Sequence, residues 1–316
     1  MTARRVIGSV LAVAMMVAGT ALNAQEGLLA AAFVFVLVVP FEKLFRRHDQ
    51  RLLRPGLGTD LAYAASQPVL APIGIAVAVV VAVLSLAWVP GLLLRPVVGA
   101  LPAGVQLVAA VALFDLAGYW AHRWSHEVPF LWRFHRVHHS TEHLDWVSGF
   151  RAHPVDGALL APPFAFLLGA GFSPEVTGVV AVAQVLIGIF LHANVRWRLR
   201  PLQRLVATPE FHHWHHANEG AAWHTNYSAL LPMWDQVFGT YRVPADERPR
   251  FYGVDTPVPG ALVGQLVWPL EGLPRPGWVV AHPLAAIRRT WGAVRRGVRQ
   301  VAASTFRPRH PAPVPF

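Results

Sequence analysis

The sequence predicts an all-α integral membrane protein, built as a helical bundle with a cap of histidine clusters on its cytoplasmic side. Three observations lead to this prediction. Apolar runs of near-membrane length recur along the chain. Only 14% of the residues are charged, whereas roughly 25% is typical of soluble domains. Histidines also recur at helical spacing in three short stretches, and these are the main chemical signal of the chain.

Six apolar runs approach the length of about 20 residues that a helix needs to cross a bilayer. They are Val6–Ala24, Gly27–Phe41, Pro68–Val89, Val105–Trp120, Val155–Gly171 and Val176–Leu191. Because some are short and one contains Pro162 and Pro163, we count four firm spans and two doubtful ones. The first run resembles a signal peptide. Since the second run follows at once, we expect the first to be retained as a transmembrane helix.

The arginine distribution sets the predicted orientation through the positive-inside rule. Arg4 and Arg5 precede the first run, and a hairpin returns the chain to a basic loop from Lys43 to Arg54. If the later apolar runs cross the membrane in alternating directions, all the histidine stretches lie on the cytoplasmic side. Only Arg95 then lies outside. In a bacterium, the membrane would be the inner or plasma membrane.

Composition also limits the partners and the metal ligands. The chain has no cysteine, which excludes disulfides, thiolate metal sites and iron–sulfur clusters and leaves imidazole and carboxylate as ligands. The formal net charge of +10 is compatible with nucleic-acid binding. However, long apolar segments interrupt the positive residues, so anionic lipid head groups are the simpler partner and we expect no nucleic acid.

Of the nine histidines in the three stretches, eight share one face of their helix at spacings of three or four residues. They are His122 and His126 in the first, His135, His138 and His139 in the second, and His212, His215 and His216 in the third. A mononuclear site needs three or four ligands, so eight histidines indicate two metal ions. His213 points away from the face of the third stretch and is not expected to be a ligand.

Other polar residues near these stretches are weighed separately. His192 closes the last apolar run and is a good candidate for a ninth ligand. Asp115 lies two turns before His122 inside an apolar span, where it either orients a histidine or bonds to a neighbouring helix. His224 or Asn226, close to the third stretch, is able to complete a coordination sphere.

The remaining histidines are expected to be structural or exposed. For His153 we favour roles other than metal ligation. Four more are expected to be ordinary surface residues, namely His48, His143, His282 and His310.

The pattern His-x₃-His, His-x₂-His-His and His-x₂-His-His on a membrane scaffold resembles the fatty acid hydroxylase/sterol desaturase superfamily. The resemblance includes Gly149-Phe-Arg-Ala-His-Pro154, Phe190-Leu-His-Ala-Asn194 and Asn226-Tyr-Ser, and it covers roughly Val105 to Arg242. It implies a non-haem di-iron oxygenase that hydroxylates or desaturates a lipid with O₂ and externally supplied electrons. It also implies that the eight histidines bind iron, and His192 matches a further ligand position.

Two departures from the family pattern are Arg196, in place of a histidine, and Ser228, in place of a glycine, and the second is expected to be harmless. Some members have another histidine four residues after the position of His192, where this chain has Arg196, so Asn194 or Asn226 is a candidate replacement. Some members carry a fused cytochrome b5 domain. We find none here and expect a separate electron donor of the cytochrome b5, ferredoxin or flavoprotein kind.

Three regions follow from these patterns. Residues 1–54 form an N-terminal membrane hairpin and basic loop, 55–242 the catalytic domain, and 243–316 a Pro- and Arg-rich extension. Within the extension, Pro283–Val301 predicts a basic amphipathic helix on the membrane surface, and Arg307 to Phe316 is expected to be disordered.

Two other functions remain open at this point. Metal transport or storage predicts polar ligands along a path through several helices, but the spans contain few polar groups besides Asp115 and Gln184. Zinc-dependent hydrolysis needs only a few histidines and one carboxylate, which is fewer than the chain offers. The lipid itself is not specified, because sterols, fatty acyl chains, ether lipids and carotenoids all fit.

Overall fold

The computed structural model describes residues 38–274 and 276–305, and these residues confirm the all-α fold class. Within them no β-strand forms, and two isolated bridges pair Arg46 with Val195 and Ala217 with Tyr252. The predicted first apolar run, its possible cleavage, most of the second run and the C-terminal tail lie outside the described residues.

Twelve α-helices are present in the described residues. They are α1 (Val39–Leu44), α2 (Leu57–Ser85), α3 (Trp88–Val98), α4 (Ala103–Glu127), α5 (Pro129–His139), α6 (Ala161–Gly169), α7 (Pro174–Leu191), α8 (Pro209–His215), α9 (Met233–Val237), α10 (Leu262–Val267), α11 (Pro276–Ala281) and α12 (Pro283–Thr305). Short 3₁₀ helices occupy Trp146–Phe150, Asp156–Leu160 and Trp268–Leu270.

Three of the described helices, α2, α4 and α7, are long and apolar enough to cross a membrane. The predicted run Val155–Gly171 is not a fourth such helix. It divides into the 3₁₀ helix Asp156–Leu160 and the nine-residue α6, with Pro162 and Pro163 in the first turn of α6. Nine residues rise by about 14 Å, which is less than half of a hydrocarbon core of about 30 Å.

The short helices α3 and α6 pack against each other through glycines. A Cβ atom at Gly91 of α3 would lie 2.8 Å from the carbonyl oxygen of Phe166 and 2.9 Å from the amide nitrogen of Ala170. A Cβ atom at Gly169 of α6 would lie 2.7 Å from the carbonyl oxygen of Trp88. The two backbones are therefore in direct contact, which only glycine permits at these positions.

The turn between α4 and α5 places the first two histidine stretches side by side. Val128 is extended because a residue that precedes proline avoids the helical region, and α4 ends there. Pro129 then begins α5, where its fixed φ and missing N–H are tolerated. The third stretch lies on α8, which Thr208 caps by accepting a hydrogen bond from the N–H of Phe211 at 3.3 Å.

The segment after residue 242 packs against α2. Leu262 is buried in one cluster with Ala62 and Tyr63, and the hydroxyl of Thr59 donates to the carbonyl oxygen of Gly260. Helix α12 follows, and it exposes a stripe of apolar side chains at Leu284, Ile287 and Trp291. Its position on a membrane surface remains a prediction.

Candidate metal centre

Nine histidines converge in two groups at the end of α4 that is nearest α5. The five-histidine group contains His122, His126, His135, His139 and His215, and the four-histidine group contains His138, His192, His212 and His216. Within each group, the nitrogen atoms able to bind metal all lie within 4.8 Å of one another. The sequence-predicted histidines, His192 included, are thus brought together.

The second and third stretches each contribute to both groups. In the second stretch, His135 and His139 join the five-histidine group while His138 joins the other. In the third stretch, His212 and His216 join the four-histidine group while His215 joins the five-histidine group. This division follows from helix geometry: residues four apart differ by about 40° around the axis, whereas adjacent residues differ by about 100°.

The Nε2 atoms are closely spaced inside each group. In the five-histidine group, His135 Nε2 lies 3.1 Å from the Nε2 atoms of both His122 and His126. In the four-histidine group, His192 Nε2 lies 3.2 Å from those of His138 and His212. With metal–nitrogen bonds of about 2.1 Å, ligands at right angles are about 3.0 Å apart, and tetrahedral ligands about 3.4 Å. The observed spacing of 3.1–3.2 Å lies between these two values, so the nitrogens are close enough to share one ion.

Backbone carbonyl groups determine which ring nitrogen carries the proton. His122 Nδ1 donates to the carbonyl oxygen of Tyr227 at 2.7 Å, and His215 Nδ1 donates to that of Thr225 at 2.8 Å. Likewise, His138 Nδ1 donates to the oxygen of Arg151 at 3.0 Å and His192 Nδ1 to that of Gly188 at 2.6 Å. Since a carbonyl oxygen only accepts, each of these rings carries its proton on Nδ1 and presents a lone pair at Nε2.

The pair His138 and His192 shows why these groups suit a cation. Burial lowers the pKa of His192 to about 4 and holds the pKa of His138 well below its usual value, so both rings are neutral. Their Nε2 lone pairs then face each other at 3.2 Å with no proton between them. Such an arrangement is repulsive unless a positive ion lies between the nitrogens, so the residues present fit a bound metal.

Asp156 is a part of the centre that the sequence did not reveal. His135 Nδ1 lies 3.0 Å from both carboxylate oxygens of Asp156. A carboxylate in this position fixes the ring tautomer and makes the opposite nitrogen more basic. The sequence does show that Asp156 is an acid three residues after His153, within the region that resembles the family. Its contact with His135 depends on the path of the loop, which the sequence does not specify.

Asp115 was predicted to orient a histidine or to bond to a neighbouring helix, and the structure shows it bonded to a loop instead. Its carboxylate oxygens accept hydrogen bonds from the N–H groups of Leu230 and Leu231, each at 2.8 Å. These residues belong to the loop that follows the third histidine stretch. Asp115 therefore fixes that loop, and it is Asp156 that contacts a histidine.

The two candidate replacements for the missing family ligand are engaged elsewhere. The Asn194 side chain accepts from the N–H of His48 and donates to the carbonyl oxygen of the same residue, both at 2.9 Å. The Asn226 side chain bonds to the backbone of Phe211 and Arg242. Arg196 is exposed, and its N–H donates to the carbonyl oxygen of Phe45. Both amide side chains thus bond to backbone groups.

His213 and His48 belong to one hydrogen-bonded chain. His213 Nε2 donates to the carbonyl oxygen of Ala193 at 3.1 Å, which leaves its Nδ1 to accept from the Tyr252 hydroxyl at 2.8 Å. The same hydroxyl lies 2.8 Å from His48 Nε2. The prediction that His48 is an ordinary surface residue is therefore wrong, because this contact holds it half-buried.

His153 and His224 also differ in their surroundings. His153 Nε2 donates to the carbonyl oxygen of Leu266 at 3.0 Å, and its Nδ1 accepts from the N–H of Val155. It therefore joins the C-terminal segment to the loop that carries Asp156. His224 has a positive φ of 61° and a ring centroid 6.4 Å from that of His126, and it lies outside both groups.

A cavity of about 610 Å³ opens onto the five-histidine group. His126, His139 and His215 form part of its wall. The other lining side chains include aromatic and charged groups, among them Trp132, Trp223, Glu127, Arg136 and Asp255. This volume is in the range of ordinary small-molecule sites, and the mixed lining suits an amphipathic ligand.

Comparison with known proteins places this centre in a family. Residues 107–240 match the family model described as Fatty acid hydroxylase. These residues form a fatty acid hydroxylase domain. All nine clustered histidines lie inside this domain, together with Asp115 and Asp156. The predicted resemblance to the fatty acid hydroxylase/sterol desaturase superfamily is confirmed.

Named relatives of the fatty acid hydroxylase domain act on different lipids. Ornithine lipid hydroxylase OlsE of Rhizobium tropici is 35% identical over 174 residues, which are 54% of this chain and 52% of that protein. Alkylglycerol monooxygenase of Danio rerio is 28% identical over 192 residues, 54% of this chain and 42% of that protein. Delta(7)-sterol 5(6)-desaturase of Leptosphaeria maculans is 27% identical over 151 residues, 45% of this chain and 38% of that protein.

The chain thus spans about half the length, or less, of the curated relatives it matches. No solved structure matches the chain.

Proposed function

We propose that this chain is a membrane-bound non-haem di-iron oxygenase that hydroxylates or desaturates a lipid with O₂ and external electrons. The observation that carries this proposal is the convergence of nine imidazoles into two groups next to apolar helices α4 and α7. Relatives of the domain bear the names hydroxylase, monooxygenase and desaturase, which supports a lipid oxidation.

One iron ion would be held by each histidine group. The ligands would be His122, His126, His135, His139 and His215 for one ion, and His138, His192, His212 and His216 for the other. Two irons would supply the redox chemistry that reduces O₂ and attacks an unactivated C–H bond. Imidazole affinity alone does not select iron. The choice of iron comes from the family, and the five imidazoles of one group exceed the four ligands of a tetrahedral zinc site.

The chain's own residues would orient the ligands and the substrate. Carbonyl groups of Tyr227, Thr225, Arg151 and Gly188 hold four imidazoles in the tautomer that binds metal. Asp156 would raise the basicity of His135. Burial of both groups would keep bulk water away from the reacting carbon.

The cavity beside the five-histidine group is the proposed lipid site. At about 610 Å³ it holds a head group and the adjoining part of a chain, but not a whole diacyl lipid. Glu127, Arg136 and Asp255 would contact a polar head group, and Trp132 and Trp223 its apolar part. A lipid with a charged or zwitterionic head group therefore fits this lining, and an uncharged hydrocarbon fits it poorly.

We further propose an integral membrane location with the histidine groups on the cytoplasmic side. The basic residues that surround the described ends of α1 and α7 support this orientation through the positive-inside rule. Electrons would then come from a separate cytoplasmic protein of the cytochrome b5, ferredoxin or flavoprotein kind.

A direct experiment combines metal analysis with lipid analysis. The protein is purified in detergent with ferrous iron, and iron per chain and O₂-dependent change of membrane lipids are measured with a chemical reductant supplied. We expect two irons per chain and one lipid class that gains an oxygen atom or a double bond. The variant His138→Ala is the control and is expected to lose the activity. Two bound irons without change in any lipid class would contradict catalysis.

The alternatives of metal transport and zinc hydrolysis have less support. Both histidine groups lie together at one end of α4, and the intramembrane Asp115 is bonded to the backbone. Neither feature provides a path across the membrane. Zinc hydrolysis would leave most of the nine imidazoles without a function.

A further inference from the structure

Small residues hold α12 against the rest of the protein. Ala286, Ala293 and Gly297 lie seven and four positions apart, so they point in nearly the same direction from the helix axis. The two alanines are partly buried and Gly297 is buried. A Cβ atom at Gly297 would lie 3.0 Å from Cγ1 of Val128, so the two residues approach closely. Gly297 therefore lies where α12 packs against α4 and α5.

The contact at Val128 determines where α12 lies relative to the apolar helices. Val128 directly follows α4, which is long and apolar enough to cross a membrane. Its neighbours Glu127 and Pro129 line the cavity beside the five-histidine group. Helix α12 therefore lies at the end of a candidate membrane span and beside the cavity.

The apolar stripe of α12, formed by Leu284, Ile287 and Trp291, is not covered by this contact. The three residues are spaced by three and four positions and share one face of the helix. Their side chains are between 62% and 71% exposed. A row of large exposed apolar side chains indicates a surface that binds an apolar partner.

Arginines border the apolar stripe on one side. Arg288 and Arg295 each follow a residue of the stripe by four positions, which turns them about 40° around the helix axis from it. Arg299 follows Arg295 by four positions and continues this row. All three are exposed, as are Arg289 and Arg296, and α12 contains no acidic residue. The exposed surface of α12 is therefore both apolar and positively charged.

We propose that α12 binds the anionic lipid head groups of the membrane surface, with its apolar stripe among the adjoining acyl chains. A helix with an apolar stripe and a basic face lies in the plane of the interface, and anionic head groups attract its arginines. Its position at the end of α4 favours a membrane over a protein partner, because head groups surround a span where it leaves the bilayer. The predicted surface helix thereby gains an attachment point, Val128, and a lipid class.

This binding would hold the cavity next to the membrane leaflet from which a lipid would enter it, a consequence that rests on the proposed lipid oxidation. The binding itself rests only on the proposed membrane location, because it involves neither histidine group.

The test measures the depth of α12 in the whole chain by spin-label electron paramagnetic resonance. The chain has no cysteine, so one substitution creates one labelling site. Ile287→Cys labels the apolar stripe, and Arg289→Cys labels a position turned about 160° from it. Each labelled protein is placed in nanodiscs of phosphatidylcholine, with or without phosphatidylglycerol. Accessibility of the label to oxygen, which concentrates in the bilayer, is divided by its accessibility to a water-soluble nickel complex.

A charge variant and a matched control are made on the Ile287→Cys background. The charge variant removes the arginines that border the stripe, namely Arg288→Gln, Arg295→Gln and Arg299→Gln. The control removes as many exposed arginines outside α12, namely Arg51→Gln, Arg196→Gln and Arg248→Gln.

With phosphatidylglycerol, we expect the accessibility ratio to be several-fold higher at Ile287→Cys than at Arg289→Cys. Each arginine near an anionic surface favours the bound helix by about fivefold, so the charge variant should lower the ratio at Ile287→Cys and the control should not. Phosphatidylcholine alone should also lower this ratio.

Equal ratios at the two labels, equal ratios in the two kinds of nanodisc, or an equal loss in the control would overturn the proposal. Strong dipolar coupling between Ile287→Cys labels on two chains would assign the stripe to a second copy and would also overturn it. A chain that does not enter nanodiscs would contradict the membrane location as well. Failure of lipid oxidation alone would leave these depths unchanged.

Discussion

His135 Nδ1 and the carboxylate of Asp156 are 3.0 Å apart, although the residues are separated by 21 positions in the chain. Substituting Asp156→Asn would preserve the size of the side chain and remove its charge. We expect the affinity of the five-histidine group for metal to fall about 10- to 100-fold, because His135 becomes a weaker base. Competition with a chelator of known affinity would measure this change.

The control for this experiment is Asp49→Asn, since the Asp49 side chain is 83% exposed and lies outside both histidine groups. Unchanged metal affinity in Asp156→Asn would show that the carboxylate has no effect on the bound ion.

Adjacent histidines on α5 are expected to bind different metal ions. His138→Ala removes a ligand from the four-histidine group, and His139→Ala removes one from the five-histidine group. We expect each variant to retain about one ion per chain, with different spectroscopic signatures for the remaining ion. Mössbauer spectroscopy of iron-57-loaded protein would distinguish them, and identical spectra from the two variants would contradict the division.

His213→Ala provides a further comparison within the third stretch. His213 is fully buried and bonds to Ala193 and Tyr252 rather than to either group. We expect this variant to keep both ions and to unfold at a lower temperature, because removal of a fully buried ring leaves a cavity. Loss of an ion without loss of stability would show that His213 is a ligand.

Glu42 predicts a pH-dependent stability. Burial is the main cause that raises its pKa from 4.5 to about 7, although it accepts hydrogen bonds from the N–H groups of Trp146 and Asn194. The unfolded chain therefore releases this proton at lower pH than the folded chain. Stability contributed by Glu42 is present below about pH 4.5 and is lost as the pH rises to about 7.

Glu42→Gln would retain an oxygen that accepts both hydrogen bonds. We expect it to stabilise the protein by up to about 3 kcal/mol at pH 8 and to flatten the pH dependence. Thermal unfolding between pH 5 and pH 8 would measure this, with the exposed Glu142→Gln as the control. A parallel decline of wild type and Glu42→Gln with pH would exclude Glu42 as the cause.

The contact between α3 and α6 predicts a steric penalty. In Gly91→Ala the new methyl group would meet the backbone of Phe166 and Ala170 at less than 3 Å, so the helices must separate. We expect a loss of about 1–3 kcal/mol in unfolding free energy. Gly178→Ala in α7 is the matched control, since no atom lies within 4 Å of its Cβ, and helix propensity should raise its stability slightly. Equal melting temperatures for both variants would contradict the close packing.

The sequence predicts the helical fold and the nine clustered histidines well because both depend on short-range periodicity. The assignment of His138 and His139 to different groups could also be predicted from the sequence, since neighbouring helical residues point about 100° apart. The hydrogen-bond partners of Asp115, Asp156 and Asn226 could not be predicted in this way. Each of these residues contacts backbone groups or a histidine ring whose position depends on tertiary packing. The length of α6 was difficult to predict because two prolines lie in its first turn.

The shared use of α5 and α8 by both histidine groups also has a mechanical consequence. His139 of one group stacks on His216 of the other, with ring centroids 4.2 Å apart and planes inclined by 22°. Because each helix carries histidines of both groups, the two groups cannot shift relative to each other without distorting a helical turn. The distance between the two groups is thus set by the repeat of the α-helix itself, and metals held there would inherit it.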